Sequence, residues 1–237
     1  MPFLLINKPA GITSHDVVDR VRRITNERTV GHAGTLDPFA TGLLIIGVGR
    51  ESTKHLSLFL NMGKTYNATI LIGKDSTTFD PEGEITDVSI VDGESMAVDS
   101  KSIEAAMKSL TGNLEQIPPM HSAIKIGGKK LYELARKGIE IDRPARSVIV
   151  SRFDLVEEES TRKEPRTLPF ELHAVIDCSS GTYIRALARD LGAVLGTKAY
   201  LTALERSAIG PYSLSEATSL SDLHAENWQQ LAKNLTP

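Results

Sequence analysis

The chain has 237 residues and a formal charge of −3, with 41% hydrophobic and 24% charged side chains. These proportions are those of an ordinary folded domain and exclude a disordered or fibrous protein. No apolar run is long enough to span a membrane, and the first eight residues are too short for a signal peptide's apolar region, which predicts a cytoplasmic protein. The single cysteine, Cys178, excludes an internal disulfide and a cysteine-rich zinc site.

Charge is unevenly distributed along the chain. Residues 117–146 hold seven basic and three acidic side chains, a local charge of +4, whereas 75–104 hold nine acidic side chains and one lysine, a local charge of −8. Binding a nucleic acid requires a local positive surface rather than a positive total. The net charge therefore leaves a basic RNA-binding face possible, although such runs are more often simply solvated.

Periodicity predicts short strands and one clear helix in the first half of the chain. The predicted elements are a strand over 3–7 that stops before Pro9, a helix capped by Thr13 or Ser14, a buried strand over 43–48 and an alternating strand over 66–72.

The second half mixes strands and helices without a regular βαβ rhythm. Its predicted elements are an acidic surface hairpin and loop over 75–99, a helix over 102–110, an irregular insertion over 116–146, strands over 147–156, 168–178 and 200–208, and helices over 183–195 and 221–235. This order favours an α+β fold with a mixed sheet.

Several common motifs are missing from the sequence. It contains no complete dinucleotide fingerprint, phosphate-binding P-loop, nucleophile elbow or His-Glu-x-x-His helix, and its histidines are scattered. Cofactor-dependent and metal-dependent chemistry are therefore disfavoured, and we expect neither a cofactor nor a metal.

The segment from Gly31 to Gly42 places a carboxylate, Asp37, in a glycine-rich loop just before a buried strand. Small residues such as Gly34 let a planar ligand approach the backbone, and Pro38 restricts the conformation of Asp37. The alternative is an ordinary Asp-Pro turn. Spacing alone favours that turn.

Five motifs in chain order decide the question, because together they resemble the TruB family of pseudouridine synthases. They are Asn7-Lys8-Pro9-x-Gly11-x-Thr13-Ser14, His32-Ala33-Gly34-Thr35-Leu36-Asp37-Pro38, Lys64-Thr65-Tyr66, Gln116-x-Pro118-Pro119-x-x-Ser122-Ala123-x-Lys125 with Gly128-x-Lys130-x-Tyr132, and Cys178-Ser179-x-Gly181-Thr182-Tyr183-Ile184-Arg185.

The resemblance implies a pseudouridine synthase fold, with a mixed, mostly antiparallel central sheet flanked by helices and loops. It implies a catalytic domain over 1–216 that carries an RNA-binding insertion at about 116–146. The tail over 217–237 is expected to be helical and is too short for the PUA domain that such proteins commonly carry. A natural short form and a truncated chain would look the same.

The function implied is conversion of uridine to pseudouridine, in the bacterial branch at uridine-55 in the T loop of tRNA. Asp37 is then the catalytic carboxylate, acting as a nucleophile at the sugar or the base, or as a base towards the sugar. These three routes stay open at the level of sequence.

The resemblance also gives roles to four other residues, each with an ordinary structural alternative. Arg185 is expected to pair with Asp37 and hold it ionised, unless it is a solvated helix arginine. Tyr66 is expected to stack on the flipped uracil, or else is an ordinary strand tyrosine packed in the core. His32 is expected to help extrude the nucleotide or to fill its place, or else is a structural histidine. Lys8 is expected to support the loops or approach a phosphate, or else is a surface lysine.

The remaining expected contacts concern binding rather than chemistry. Tyr183 is expected to pack under the Asp37 loop, and the insertion to clasp the tRNA backbone through Lys125, Lys129 and Lys130. The implied partner is the T arm of tRNA, with no membrane, no obligate protein partner and a monomeric state. Two rival functions are an RNA or nucleoside glycosylase, which would release uracil, and an RNA-binding or RNA-folding module.

Overall fold

The computed structural model describes residues 1–88, 97–122, 124–126, 128–135, 137–156 and 164–235, without the side chains of 125, 126, 129 and 130. The chain divides into two compact units. Unit 1 consists of residues 1–67 and 204–237, and unit 2 of residues 68–203. None of the helices that the structure describes is long and apolar enough to cross a membrane.

Unit 1 is built on a layer of strands in the order β16-β1-β3-β14, with β2 and β17 at its margins. Strand β1 is antiparallel to β3 and β17 and parallel to β16, whereas β3 is parallel to β14 and antiparallel to β2. Its elements are β1 (Pro2–Lys8), α1 (Ser14–Thr25), β2 (Val30–His32), β3 (Thr41–Val48), α2 (Arg50–Thr53), α3 (Leu56–Leu60), the start of β4 (Lys64–Ile72), the end of β14 (Ala199–Ile209), β15 (Tyr212–Ser213), a 3-10 turn (Leu214–Glu216), β16 (Thr218–Ser219), α7 (Trp228–Leu231) and β17 (Lys233–Asn234).

Strands β1 and β3 each contain a continuous apolar run, over 3–6 and 43–46, because both of their faces are covered. Leu4 and Ile6 of β1 join Leu44, Ile46 and Val48 of β3 and the α1 valines in one core cluster. Phe3 and Leu5 of β1 pack with Leu43 and Ile45 of β3 and with Phe59 of α3 in a second cluster. Alternate side chains of a strand point to opposite faces, so a strand covered on both sides reads as a continuous apolar run.

Helix α1 begins where its capping residue predicts. Thr13 is the N-cap, and its hydroxyl accepts from the Asp16 amide while Asp16 binds back to the Thr13 amide. This reciprocal arrangement satisfies two amides that have no partner within the helix. The cap is therefore Thr13, and the other candidate, Ser14, is the first helical residue.

Unit 2 contains strands in the order β14-β4-β13-β11-β8, and β11 is antiparallel to both β13 and β8. Its elements are the rest of β4 and β14, β5 (Lys74–Ser76), β6 (Ile85–Asp87), β7 (Ala97–Val98), α4 (Ser100–Ser109), β8 (Gly112–Gln116), β9 (Lys125–Ile126), β10 (Lys129–Lys130), α5 (Leu131–Ala135), β11 (Arg146–Leu155), β12 (Arg166–Thr167), β13 (Phe170–Cys178) and α6 (Ile184–Val194). The pairs β5–β6, β7–β12 and β9–β10 are small antiparallel ladders.

Most predicted elements are confirmed, as is the α+β class with a mixed, mostly antiparallel sheet. The helical tail predicted over 217–237 is wrong: its described part holds one four-residue helix, α7, and the strands β16 and β17, which both pair with β1. Packing against a sheet edge outweighs the weak helical preference of this segment. Helices α2 and α3 were not predicted, because each is shorter than the window in which helical periodicity shows.

Strands β3 and β14 approach so closely at Gly42 that a side chain there would not fit. It has φ +103°, and an added Cβ would collide with the Arg206 backbone, whose amide nitrogen is 2.7 Å away. Gly11, also in unit 1, has φ +84°, but no heavy atom of the described residues lies within 4 Å of its added Cβ.

We expect Gly11→Ala to lower the free energy of unfolding by about 1–2 kcal/mol through backbone strain alone. Gly42→Ala should add about 1–3 kcal/mol to such a loss through the collision, as measured by urea denaturation. Equal losses would contradict this close approach.

Candidate active site

The Asp37 loop, residues 33–40, connects β2 to β3 and carries a single acidic residue. Asp37 is half-buried, whereas Leu36 and Ala40 are buried in the core. The Ala40 amide donates to the Asp37 carbonyl over 3.1 Å, which closes a turn. Asp37 therefore lies in a turn that is held in place by the burial of Leu36 before it and Ala40 after it.

Ser14 holds the peptide groups just before Asp37. Its hydroxyl donates to the Leu36 carbonyl over 3.1 Å and accepts from the Leu36 amide over 2.8 Å. The Ser14 side chain is buried, so water does not compete well for these bonds. One oxygen at the start of α1 therefore fixes the residue that precedes the carboxylate.

Lys8 and Gly11 hold the other flank. The Pro38 carbonyl accepts from the Gly11 amide over 2.8 Å and from Lys8 Nζ over 3.2 Å. Lys8 Nζ also donates to the carbonyls of Pro9 and Ile12. Lys8 is fully buried, which excludes the surface-lysine alternative, and it lies where a loop-supporting residue must lie.

Arg206 supports the loop from β14 and was not identified from the sequence. It is 1% exposed, and its guanidinium donates to the Leu43 carbonyl over 2.8 Å and to the Gly34 carbonyl over 3.0 Å. Gly34 thus lies directly against a buried cation. A charged residue within the apolar strand predicted over 200–208 was the available signal, since buried arginines are paired or hydrogen-bonded.

His32 ends β2, just before the Asp37 loop, and is half-buried. Burial lowers the pKa of its imidazole, and electrostatic repulsion from Arg206 and His15 lowers the pKa further, whereas a hydrogen bond with the Gly34 backbone acts in the opposite direction. His32 is therefore a neutral imidazole at pH 7, able to stack on a base without forming an ion pair.

Tyr66 lies in β4, two residues after Lys64. Its side chain is 8% exposed, so most of the ring is covered in this structure. Lys64 donates from Nζ to the carbonyls of Leu60 and Met62 over 2.6 and 2.5 Å, which ties the start of β4 to the end of α3. The Lys-x-Tyr motif thus has a local structural role in addition to the predicted stacking of Tyr66, which stays a prediction.

Arg185 is buried in unit 2 and is held by several groups, which excludes a solvated helix arginine. Its Nη1 lies 3.1 Å from Asp80 Oδ2 and donates to the Thr78 carbonyl over 3.1 Å. Its Nη2 donates to the His121 carbonyl over 2.7 Å. Asp37 belongs to unit 1, and its pairing with Arg185 stays a prediction.

Asp80 was missed because the acidic segment over 75–99 reads as solvated surface. In the structure Asp80 is 2% exposed, at the tip of the β5–β6 hairpin. Its carboxylate also accepts from the Thr78 hydroxyl and from the Glu82 amide, the latter over 3.0 Å. Composition could not separate this carboxylate from its exposed neighbours.

The other predicted binding residues lie in unit 2. Tyr183 is half-buried at the N-cap of α6, and its backbone bonds to the Gln116 side chain. The side chains of Lys125, Lys129 and Lys130 lie outside the described residues, although their backbones form the β9–β10 ladder.

Comparison with solved structures defines the class. The chain superposes on "Crystal Structure of a Cbf5-Nop10-Gar1 Complex" with a TM-score of 0.70 and 24% identity, covering 98% of this chain and 59% of that one. It superposes on "Crystal structure of the archaeal box H/ACA sRNP Nop10-Cbf5 complex" with a TM-score of 0.66 and 23% identity, covering 96% of this chain and 54% of that one. These likenesses show the pseudouridine synthase fold alone.

Family models and curated relatives then define the family. Residues 22–184 match the "TruB family pseudouridylate synthase (N terminal domain)" and 185–237 match the "tRNA pseudouridylate synthase B C-terminal domain". The chain is 43% identical over 239 residues to "tRNA pseudouridine synthase B" of Arthrobacter sp. (strain FB24), covering 99% of this chain and 76% of the relative. It is 46% identical over 221 residues to the protein of the same name from Mycobacterium tuberculosis (strain ATCC 25618 / H37Rv), covering 93% and 71%. The chain therefore belongs to the TruB family of pseudouridylate synthases.

Ser14→Ala tests the hydroxyl that holds Leu36. The substitution leaves two buried peptide groups without that partner, so we expect a stability loss of about 1–3 kcal/mol and a fall in pseudouridine formation of about tenfold or more. Thr13→Ala is the matched control, since it removes the N-cap at a cost of about 1 kcal/mol and leaves the Leu36 contacts in place. Urea denaturation and initial rates measure the two effects. Equal losses of rate in both variants would show that the hydroxyl has no specific role.

His32 gives a prediction about pH. Because the pKa of His32 is lower in the folded than in the unfolded state, the folded protein binds fewer protons at this residue. Its contribution to the free energy of unfolding is therefore fully present above the ordinary pKa of 6.5. That contribution is lost as the pH falls from 6.5 towards the folded pKa. We expect His32→Gln to reduce this decline in the free energy of unfolding between pH 7.5 and 5.5. His224→Gln, at an exposed position of unit 1 that does not act on His32, serves as the control. An unchanged slope in His32→Gln would contradict the lowered pKa.

Proposed function

We propose that this protein converts uridine to pseudouridine at position 55 in the T loop of tRNA, with Asp37 as the catalytic carboxylate. The supporting observation is the Asp37 loop itself. Its peptide groups are held on one side by Ser14 and on the other by Lys8 and Gly11. Within a family of pseudouridylate synthases, a half-buried carboxylate fixed in this way is the group best placed to react.

The proposed reaction is balanced without any co-reactant. The bond from C1′ of the ribose to N1 of uracil breaks, the base turns, and a bond from C1′ to C5 forms, while C5 loses a proton and N1 gains one. No oxidant, reductant or activated donor enters the balance, so no cofactor is proposed. A carboxylate can serve as the nucleophile at the sugar or the base, or as a base towards the sugar.

Arg185 is proposed to keep the carboxylate of Asp37 ionised and aimed. An adjacent guanidinium favours the charged form of a carboxylate and fixes its direction through directional N–H donors. Three contacts of Arg185, with the Asp80 carboxylate and the Thr78 and His121 carbonyls, set the orientation of that guanidinium. Asp80 is thus proposed as a positioning residue for Arg185.

His32 and Tyr66 are proposed to handle the base itself. The reacting atoms of a stacked uracil are covered, so the nucleotide must leave the stack before reaction. A neutral imidazole at His32 suits a ring that takes the place of the extruded base. Tyr66 is proposed to stack on the extruded uracil, and its hydroxyl to assist loss of the C5 proton.

The insertion over 116–146 is proposed to hold the tRNA. Its local charge of +4 suits contacts with phosphates, which position an RNA without reading its sequence. Gly34 is proposed to let the base approach the loop closely, and Tyr183 to pack under the Asp37 loop. The protein is proposed to act as a monomer in the cytoplasm and without an obligate protein partner.

Asp37→Asn tests the assignment of the catalytic carboxylate. We expect the rate of pseudouridine formation in a T-arm transcript to fall by about a thousandfold or more, because an amide is neither a nucleophile nor a base, while RNA affinity changes little. Carbodiimide labelling with primer extension measures conversion, and a filter assay measures binding.

Asp19→Asn is the control, because Asp19 is a carboxylate of unit 1 in an ion pair with Arg22 on α1. It should retain the wild-type rate. Release of free uracil by the wild type would indicate a glycosylase instead, and binding without conversion would indicate an RNA-binding module. A wild-type rate in Asp37→Asn would show that Asp37 is not the reacting group.

A further inference from the structure

Gln116, the last residue of β8, bonds to Tyr183 at the start of α6 through two hydrogen bonds. Its side-chain carbonyl accepts from the Tyr183 amide over 2.8 Å, and its side-chain nitrogen donates to the Tyr183 carbonyl over 3.1 Å. The Gln116 side chain is buried, at 3% exposure. A primary amide is the neutral side chain that can donate to and accept from one peptide residue in this way.

Tyr183 is the residue from which α6 starts. It is the N-cap, and its carbonyl also accepts the first backbone hydrogen bond of the helix, from the Leu187 amide over 3.1 Å. The amides at the beginning of a helix have no partner within the helix, so an outside group must satisfy them when they are buried. Gln116 does so for Tyr183, two residues before Arg185. The position at which α6 begins, and with it the Cα of Arg185, therefore depends on Gln116.

The same short segment also contacts the far end of Arg185. The His121 carbonyl, five residues after Gln116, accepts from Arg185 Nη2 over 2.7 Å. Between them lie Pro118 and Pro119, which are both buried and whose rings restrict the backbone. Segment 116–121 thus holds Arg185 at two points, through the backbone at the start of its helix and through its guanidinium.

We propose that segment 116–121, the base of the insertion, sets the position of Arg185, and that Gln116 is a positioning residue for the reaction. This inference rests on the proposed function of the site. It links the segment proposed to hold the tRNA with the arginine proposed to aim the catalytic carboxylate. Loss of the Gln116 bonds displaces Arg185 but keeps the basic residues of the insertion, so it lowers the rate of reaction rather than the affinity.

The test compares Gln116→Met with Asn113→Met. Methionine has nearly the length of glutamine but cannot make the two hydrogen bonds, and Asn113 is an exposed amide on the same strand. Single-turnover conversion of a T-arm transcript is measured at saturating protein, together with the dissociation constant of the RNA. We expect Gln116→Met to lower the rate by about tenfold or more and to change the affinity by less than about twofold. Asn113→Met should match the wild type in both.

A double-mutant cycle identifies Arg185 as the residue through which Gln116 acts. In an Arg185→Lys background the guanidinium is gone, so Gln116→Met should lower the remaining rate by less than about twofold. A merely structural role would give the full loss in both backgrounds. If Gln116→Met does not fold, Gln116→Glu, which keeps the length and the acceptor for the Tyr183 amide, replaces it under the same criteria.

The outcomes separate the two proposals. A wild type that forms no pseudouridine overturns the proposed function. A wild type that forms it, with Gln116→Met unaffected, or with equal losses in the Arg185→Lys background, overturns the role of Gln116 and leaves the proposed function standing. A loss of affinity at an unchanged rate would also overturn that role.

Discussion

The peptide groups on both sides of Asp37 are bonded to atoms that lie 22 to 30 residues away in the chain. The Ser14 hydroxyl holds Leu36, and Lys8 Nζ holds Pro38, and both of these groups and their partners lie in unit 1. A carboxylate on an unsupported Asp-Pro turn would adopt several directions, because both flanking peptides could rotate. Buried hydrogen bonds are costly to break without replacement, so they confine the turn to one conformation. Every proposed step at Asp37 depends on that confinement.

The Arg185–Asp80 pair carries a different kind of constraint. Burying two charges is costly, and their attraction only partly offsets the lost hydration, so the pair is weak support for stability by itself. The additional hydrogen bonds of the pair indicate a role in orienting the guanidinium. The Thr78 hydroxyl and the Glu82 amide donate to Asp80, while the Thr78 and His121 carbonyls accept from Arg185. Such a network holds a planar guanidinium in one orientation, as the proposed pairing of Arg185 with Asp37 requires.

Local patterns predicted the secondary structure well where burial gives an element a periodic or a continuous apolar pattern. Helix α1 begins at its capping box, and β1 and β3 lie where apolar runs predict them. The helical prediction for residues 217–237 was wrong for a physical reason. Trp228 and Leu231 do pack against a core cluster, but β16 and β17 pair with β1, and the gain from these contacts exceeds the small helical preference of a short segment.

The sequence alone determined most of the elements, the family resemblance and the loop that carries Asp37, because these depend on residues close together in the chain. Tertiary structure alone decided that Lys8 is buried beneath that loop and that Arg206 donates to the Gly34 carbonyl. It also decided that Asp80, unlike its exposed acidic neighbours in the sequence, is buried and pairs with Arg185. Arg206 and Gly34 are 172 residues apart. Contacts over such separations are set by which strands and loops become neighbours, and a charged residue has the same local pattern whether it ends in solvent or in the core.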